Sequence, residues 1–203
     1  MRELLAGAHC AELTLAEFNR LSERDMGRIG PPGFWKLERQ QSFAEPDNDS
    51  WVAFDRGDWA EALRLVARKR DGFLDYYRRA AARGSRYWRV RVVESPLTPY
   101  LRWELEVLRL RAACGARIRV VGPEQVEPFE RAGPLPEVFT VGAEVMYEAV
   151  YDQQGRLAGG RRFTDRDLIR RCQRLIQDLY DTGEELAAFF DREVARRRMP
   201  CGG

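Results

Sequence analysis

Apolar and basic residues alternate along Tyr87-Trp88-Arg89-Val90-Arg91-Val92-Val93. A two-residue period predicts a strand, with Val90 and Val92 on one face and Arg89 and Arg91 on the other. Pro96 and Pro99 then interrupt the chain, and Thr98 fits an N-cap with Pro99 at the first helical position. Leu101, Leu105 and Leu108 follow at spacings of four and three, which predicts a helix ended by Gly115 in a left-handed cap. Arg117-Ile118-Arg119-Val120-Val121 repeats the basic-apolar alternation. Strand, helix, strand is a βαβ unit, which favours parallel strands joined by a crossover. The chain is organised around this stretch.

The pattern elsewhere extends the unit. Thr14 with Glu17 fits a capping box ahead of Leu15, Phe18 and Leu21, and Gly30-Pro31-Pro32-Gly33 is a hard break. Residues 1–33 therefore read as a loosely attached N-terminal helical arm and linker, which must dock on the rest or on a partner. Residues 34–203 read as a single domain. In Phe34 to Phe43, Trp35, Leu37 and Arg39 share one face of a short strand or irregular segment, with Lys36, Glu38 and Gln40 on the other. A helical turn is expected over Trp51 to Phe54, then one long helix from the Asp58 cap to about Arg83, weakened at Gly72. Val138–Val141, Glu144–Tyr151 and Arg156–Phe163 read as an antiparallel meander, with Asp152-Gln153-Gln154-Gly155 as a hairpin turn. Leu168, Ile169, Cys172, Leu175, Ile176 and Leu179 give the cleanest amphipathic pattern, a helix packed across a sheet face. A last helix is expected over Glu184 to Arg198. The expected class is α/β, with α+β as the alternative: a mixed sheet with helices on its faces.

Composition narrows the chemistry more than it identifies it. At 203 residues the chain can bury one substantial core. Lys and Arg total 34 against 32 Asp and Glu, and a balance of +2 does not announce a nucleic-acid binder. The cations are almost all Arg; Lys stands only at positions 36 and 69. No apolar run reaches the roughly 20 residues of a membrane span, and the N-terminus is a poor signal peptide. Four scattered cysteines form no C-x-x-C pair, so a reduced cytoplasmic protein is expected. His9, beside Cys10, is the one histidine, and no second ligand pair stands at zinc-site spacing, so neither a metal nor a histidine-dependent centre is expected. Cys172 reads as a core thiol. Neither the Gly-x-Gly-x-x-Gly nor the P-loop pattern is present, and no cofactor is expected. The candidate surface lies beyond the C-terminal end of the first βαβ strand, where open α/β sheets hold ligands and a helix N-terminus favours anions. It offers Arg91, Thr98, Tyr100, Arg102 and Glu104, and Trp35, Glu38 and Arg39 form a second candidate cluster.

Phe34-Trp35-Lys36-Leu37-Glu38-Arg39, Arg89-Val90-Arg91-Val92-Val93, Pro96-Leu97-Thr98-Pro99-Tyr100-Leu101-Arg102-Trp103-Glu104-Leu105 and Ile118-Arg119-Val120-Val121 together resemble actinobacterial proteins of the domain-of-unknown-function family 6879. The resemblance runs from about residue 34 to residue 190. It implies a small intracellular α/β domain, often encoded near helix-turn-helix regulators, and no catalytic residues. The element order is also similar to half of a phospholipase-D-like domain. Those enzymes need His-x-Lys, whereas the histidine here reads His9-Cys10-Ala11.

Three functions compete. The first is a non-enzymatic regulatory or interaction domain that binds a partner protein, such as a helix-turn-helix regulator, or a small anionic ligand at Arg91, Tyr100 and Arg102. The second is a nucleic-acid-binding accessory protein, using Arg residues of the helix from Asp58 and Arg196 to Arg198. The third is a histidine-independent enzyme built on carboxylates such as Glu104, Glu148 and Asp152, which would need two carboxylates with opposed pKa shifts in one pocket. A homodimer is a further option for the aromatic cluster Trp35, Trp51, Phe54 and Trp59.

Overall fold

The valine-arginine alternation forms β3 (Tyr87–Val92), and its repeat forms β4 (Arg117–Val121). The two are parallel, with Trp88 opposite Arg117 and Val92 opposite Val121. They are joined by α6 (Pro99–Ala113), where the Thr98 hydroxyl accepts from the Leu101 N–H. In this computed structural model, which describes residues 1–195, the unit extends into a mixed sheet. β2 (Phe34–Glu38) lies parallel to β3 on its other side. β5 (Val138–Val141), β6 (Val145–Tyr151) and β7 (Leu157–Phe163) continue as the expected antiparallel meander. β1 (Ala11–Thr14) and β8 (Glu184–Glu185) close the two ends, giving an open eight-stranded order of β1-β7-β6-β5-β2-β3-β4-β8. The architecture is α/β.

The sheet's two faces are filled differently. On one, Trp35, Leu37, Val90, Val92, Val121, Val138 and Met146 pack against Ile169, Cys172, Ile176 and Leu179 of α8 (Arg166–Thr182) as one continuous core. Burial there pushes the Cys172 thiol up to about 11, which makes it inert. On the other, the apolar residues divide into three clusters, centred on Leu105 and Phe189, on Phe34 and Tyr147, and on Tyr100 and Trp103. The charged positions of β2 and β3 fall between them.

Residues 1–33 supply more than the expected helix. Met1 and Leu5 enter the core under α8, and β1 adds an edge strand to β7. The Thr14–Glu17 capping box opens α2 (Leu15–Gly27), which buries Phe18 and Asp25. The Tyr147 hydroxyl donates to Asp25 Oδ2 at 2.7 Å, and Arg162 Nη2 does so at 3.0 Å. Gly159 and Gly160 make this docking possible. A Cβ at Gly159 would meet Leu13 O at 2.3 Å, and one at Gly160 would meet Glu148 O and the Phe18 ring at 2.4 and 2.5 Å.

Two helices differ from their expected extents. A helix over Asp49–Asp55, α3, precedes the Asp58 cap, and the long helix beyond it breaks at Lys69 into α4 (Trp59–Arg68) and α5 (Arg70–Ala82). The Lys69 N–H bonds to Val66 O at 3.0 Å, a tighter turn than an α-helix makes, and Gly72 weakens the next turn. The expected last helix begins as β8, because Glu184 and Glu185 pair with Val120 and Arg119. A short helix over Leu186–Phe190 and a π-helical turn over Asp191–Ala195 follow. Arg196 to Arg198 and Cys201 lie outside the described residues. Among the described residues no helix is long and apolar enough to cross a membrane.

Candidate functional site

Strand register assembles the site. Pairing β2 with β3 sets Lys36 beside Arg89 and Glu38 beside Arg91, all four on the face where the apolar clusters part. Lys36 Nζ lies 2.5 Å from Glu38 Oε1, and Arg89 Nη1 donates to Glu38 Oε2 at 2.8 Å. Arg91 is fully buried. Its Nε donates to Glu104 Oε2 at 2.8 Å, its Nη2 lies equally close, and its Nη1 donates to Val92 O at 3.1 Å. Burial opposes ionisation of Glu38, but Arg89, Lys36 and Arg91 outweigh it and hold the carboxyl at about 2. Glu104 moves the other way: burial raises its pKa, and the Glu38 charge adds to that against the pull of Arg91.

Further groups surround this network. Glu137 Oε1 accepts from the Arg39 and Gln40 N–H groups at 2.8 and 2.6 Å, while Oε2 is buried without a hydrogen-bond partner. Burial, then the Glu38 charge, pushes this carboxyl up to about 7. The Tyr100 hydroxyl donates to Glu45 Oε1 at 2.6 Å, and burial raises its pKa far above the usual tyrosine range.

Above the network is a cleft of two lobes, about 840 and 650 Å³, which share Asn19, Lys36, Lys69, Phe73, Arg89 and Arg111. The larger lobe is walled by Phe34, Tyr76, Tyr77, Tyr87 and Phe139. The smaller is lined by Glu38, Glu45, Tyr100, Glu104 and Tyr151. The waist is cationic. Lys69 Nζ donates to Asn48 Oδ1 at 2.7 Å. Arg111 stacks 4.3 Å from the Phe73 ring centre and donates to the Tyr77 hydroxyl at 3.3 Å. Among the described residues no carboxylate ion-pairs with Lys69 or Arg111. Burial, then repulsion from Arg111, lowers the Lys69 pKa below the ordinary lysine value.

The expected site residues fall in five places. Glu38, Arg91, Tyr100 and Glu104 meet in and beneath the smaller lobe. Arg102 is exposed on the other side of α6, in a separate pocket with Phe54, Trp59 and Leu97. Thr98 serves as the α6 cap and donates to Gln41 O at 2.7 Å. Trp35 lies on the opposite sheet face, stacked 4.6 Å from Trp88, and Arg39 is engaged by Glu130 and Glu94. His9 is exposed and lines neither lobe.

Lys69 and Arg111, which carry charge at the cleft waist, and Glu137, which lines neither lobe, are not singled out by pattern. One signal was available: in a chain whose cations are nearly all Arg, both lysines line the cleft waist. No curated protein matches the chain. The family model described as Domain of unknown function (DUF6879) matches residues 24–191, which takes in β2 to β8 and the cleft lining apart from Leu15, Asn19, Ser22 and Glu23. The chain therefore belongs to the DUF6879 family.

Proposed function

We propose that the protein is a non-enzymatic binding domain whose ligand is a small anion held between Lys69 and Arg111. One observation carries this reading: two partly buried cations line one cleft, and among the described residues no carboxylate ion-pairs with either. Burial, and after it repulsion from Arg111, already depresses the Lys69 pKa. Bringing like charges together out of water is unfavourable, and an anion in the gap removes that cost. Lys36 and Arg89, at the same waist, are partly neutralised by Glu38 and add a weaker pull. A regulatory role follows naturally, with ligand occupancy as the signal.

Calorimetric titration with inorganic pyrophosphate tests the reading. Each charge-assisted hydrogen bond contributes about 1.5–3 kcal/mol, so Lys69→Gln or Arg111→Gln should each weaken binding by about tenfold or more. No binding by the wild type, or unchanged affinity in both variants, rejects it.

The opposed shifts of Glu38 and Glu104 in one lobe favour a second reading, a histidine-independent acid–base centre. Glu104 Oε2 is taken by Arg91, which leaves Oε1 to carry a proton toward a bound anion. In that case Glu104→Gln abolishes turnover of a bound phosphoester without weakening its binding. Absence of turnover in the wild type removes this second reading alone.

A further inference from the structure

The larger lobe carries information about the rest of the ligand. Its rings are not sealed into the core: Phe73, Tyr76 and Phe139 stay partly exposed beside an open volume of about 840 Å³. Phe34 stacks on Tyr87 at 5.0 Å and lies 5.6 Å from Phe139, so the wall is a fixed aromatic surface. Tyr76 meets Tyr87 edge-on at 5.2 Å. Among the described residues the one carboxylate lining this lobe, Glu23, is exposed. A volume of this size suits a drug-sized molecule, and apolar walls with few polar groups are what such sites present.

Two polar features stand in that wall. Arg111 lies over the Phe73 ring, so its guanidinium is positioned where the aromatic lobe meets the cationic waist. The Tyr76 hydroxyl donates to the Tyr87 oxygen at 2.8 Å. That bond uses one of the pair's two hydroxyl protons, so the pair retains a second to donate.

We infer that the ligand is an aromatic anion, with a planar ring in the larger lobe and a phosphate or carboxylate group at Lys69 and Arg111. This rests on the anion-binding reading and extends it. A ring edge bearing a hydrogen-bond acceptor meets the spare tyrosine proton, and the ring face meets Phe73 and Phe139. Base–aromatic stacking in other proteins is strong enough that the ring raises affinity by about tenfold or more.

The experiment is calorimetry on the full chain with matched probes. Pyrophosphate and ribose 5-phosphate carry the anion without an aromatic ring. Octyl phosphate carries an apolar body without a ring. Phenyl phosphate and adenosine 5′-monophosphate carry both, and separate a simple aryl group from a nucleobase. The inference expects one or both ring-bearing probes to bind at least about tenfold tighter than ribose 5-phosphate and octyl phosphate. Tyr76→Leu together with Phe139→Leu should remove that gain while pyrophosphate binding is still detected. Equal affinity for phenyl, adenosine and octyl phosphates overturns the aromatic assignment. So does a ring gain that survives Tyr76→Leu together with Phe139→Leu. Pyrophosphate binding alone, with no gain from any ring, overturns this inference and leaves the anion site standing. No binding by any probe overturns both.

Discussion

Replacing Arg91 by methionine strands Glu104. Arg91 is wholly buried, and the change removes both guanidinium contacts to Glu104 and the bond to Val92 O. The methionine fills most of the volume, so packing is nearly conserved and the lost term is electrostatic. Breaking a buried pair by removing one partner costs about 3–5 kcal/mol, because the remaining charge is left uncompensated. At a urea m-value of about 2 kcal/mol/M the unfolding midpoint should fall by about 2 M. The loss should be smaller at pH 5 than at pH 8. Burial already raises the Glu104 pKa, so without Arg91 the group takes up a proton and sheds its charge. Arg91→Met with Glu104→Leu should recover most of the stability, since buried ion pairs exchanged for apolar residues are often neutral. Recovery should stop short of the wild type, because Glu38 also draws on Arg91. A single variant losing less than about 1 kcal/mol, or a double variant no better than the single, refutes the reasoning.

Other expectations follow from the same geometry. Folded Glu137 keeps its proton to about pH 7, whereas an unfolded glutamate ionises near 4.5. Its stabilising contribution is thus fully present below pH 4.5 and lost as pH rises through 7, a fall of about 3 kcal/mol. Glu137→Gln should abolish that fall, leaving the variant the more stable protein at pH 8. Glu38, held at about 2, acts below this window, and equal pH slopes in urea titrations of both proteins would contradict the assignment. Gly160→Ala drives a Cβ against Glu148 O and the Phe18 ring, and should cost about 1–3 kcal/mol or more. A lowered melting temperature with faster proteolysis before residue 34 is the expected result; an unchanged melting temperature refutes it.

How much of this was legible in the sequence follows from which interactions are local. The βαβ unit was readable because Val90, Val92, Val120 and Leu105 declare their faces by spacing alone. The meander was readable from Asp152 to Gly155, and α8 from its apolar stripe. The cleft was not, because it depends on β2 pairing beside β3, which sets Lys36 against Arg89 across 53 residues of chain. The break at Lys69 was hidden because α4 and α5 together keep one helical pattern. Arg102 could have been separated from Tyr100 and Glu104 by periodicity. Residues four apart share a helix side, whereas two apart lie nearly opposite. Basic side chains beside buried valines read as solvent-facing, yet Arg91 is buried because Glu104 arrives from α6 to neutralise it. That partnership is tertiary and leaves no mark in local pattern.

The central claim is that Lys69 and Arg111 repel each other across one cleft and that, among the described residues, neither is ion-paired to a carboxylate. Since the chain has two lysines, a sample labelled with ¹⁵N at lysine Nζ gives one side-chain signal for each, assigned by Lys36→Arg. In the free protein Lys69 should titrate below the ordinary lysine value, and saturation with pyrophosphate should raise that midpoint. An ordinary midpoint that pyrophosphate leaves unmoved would contradict the account.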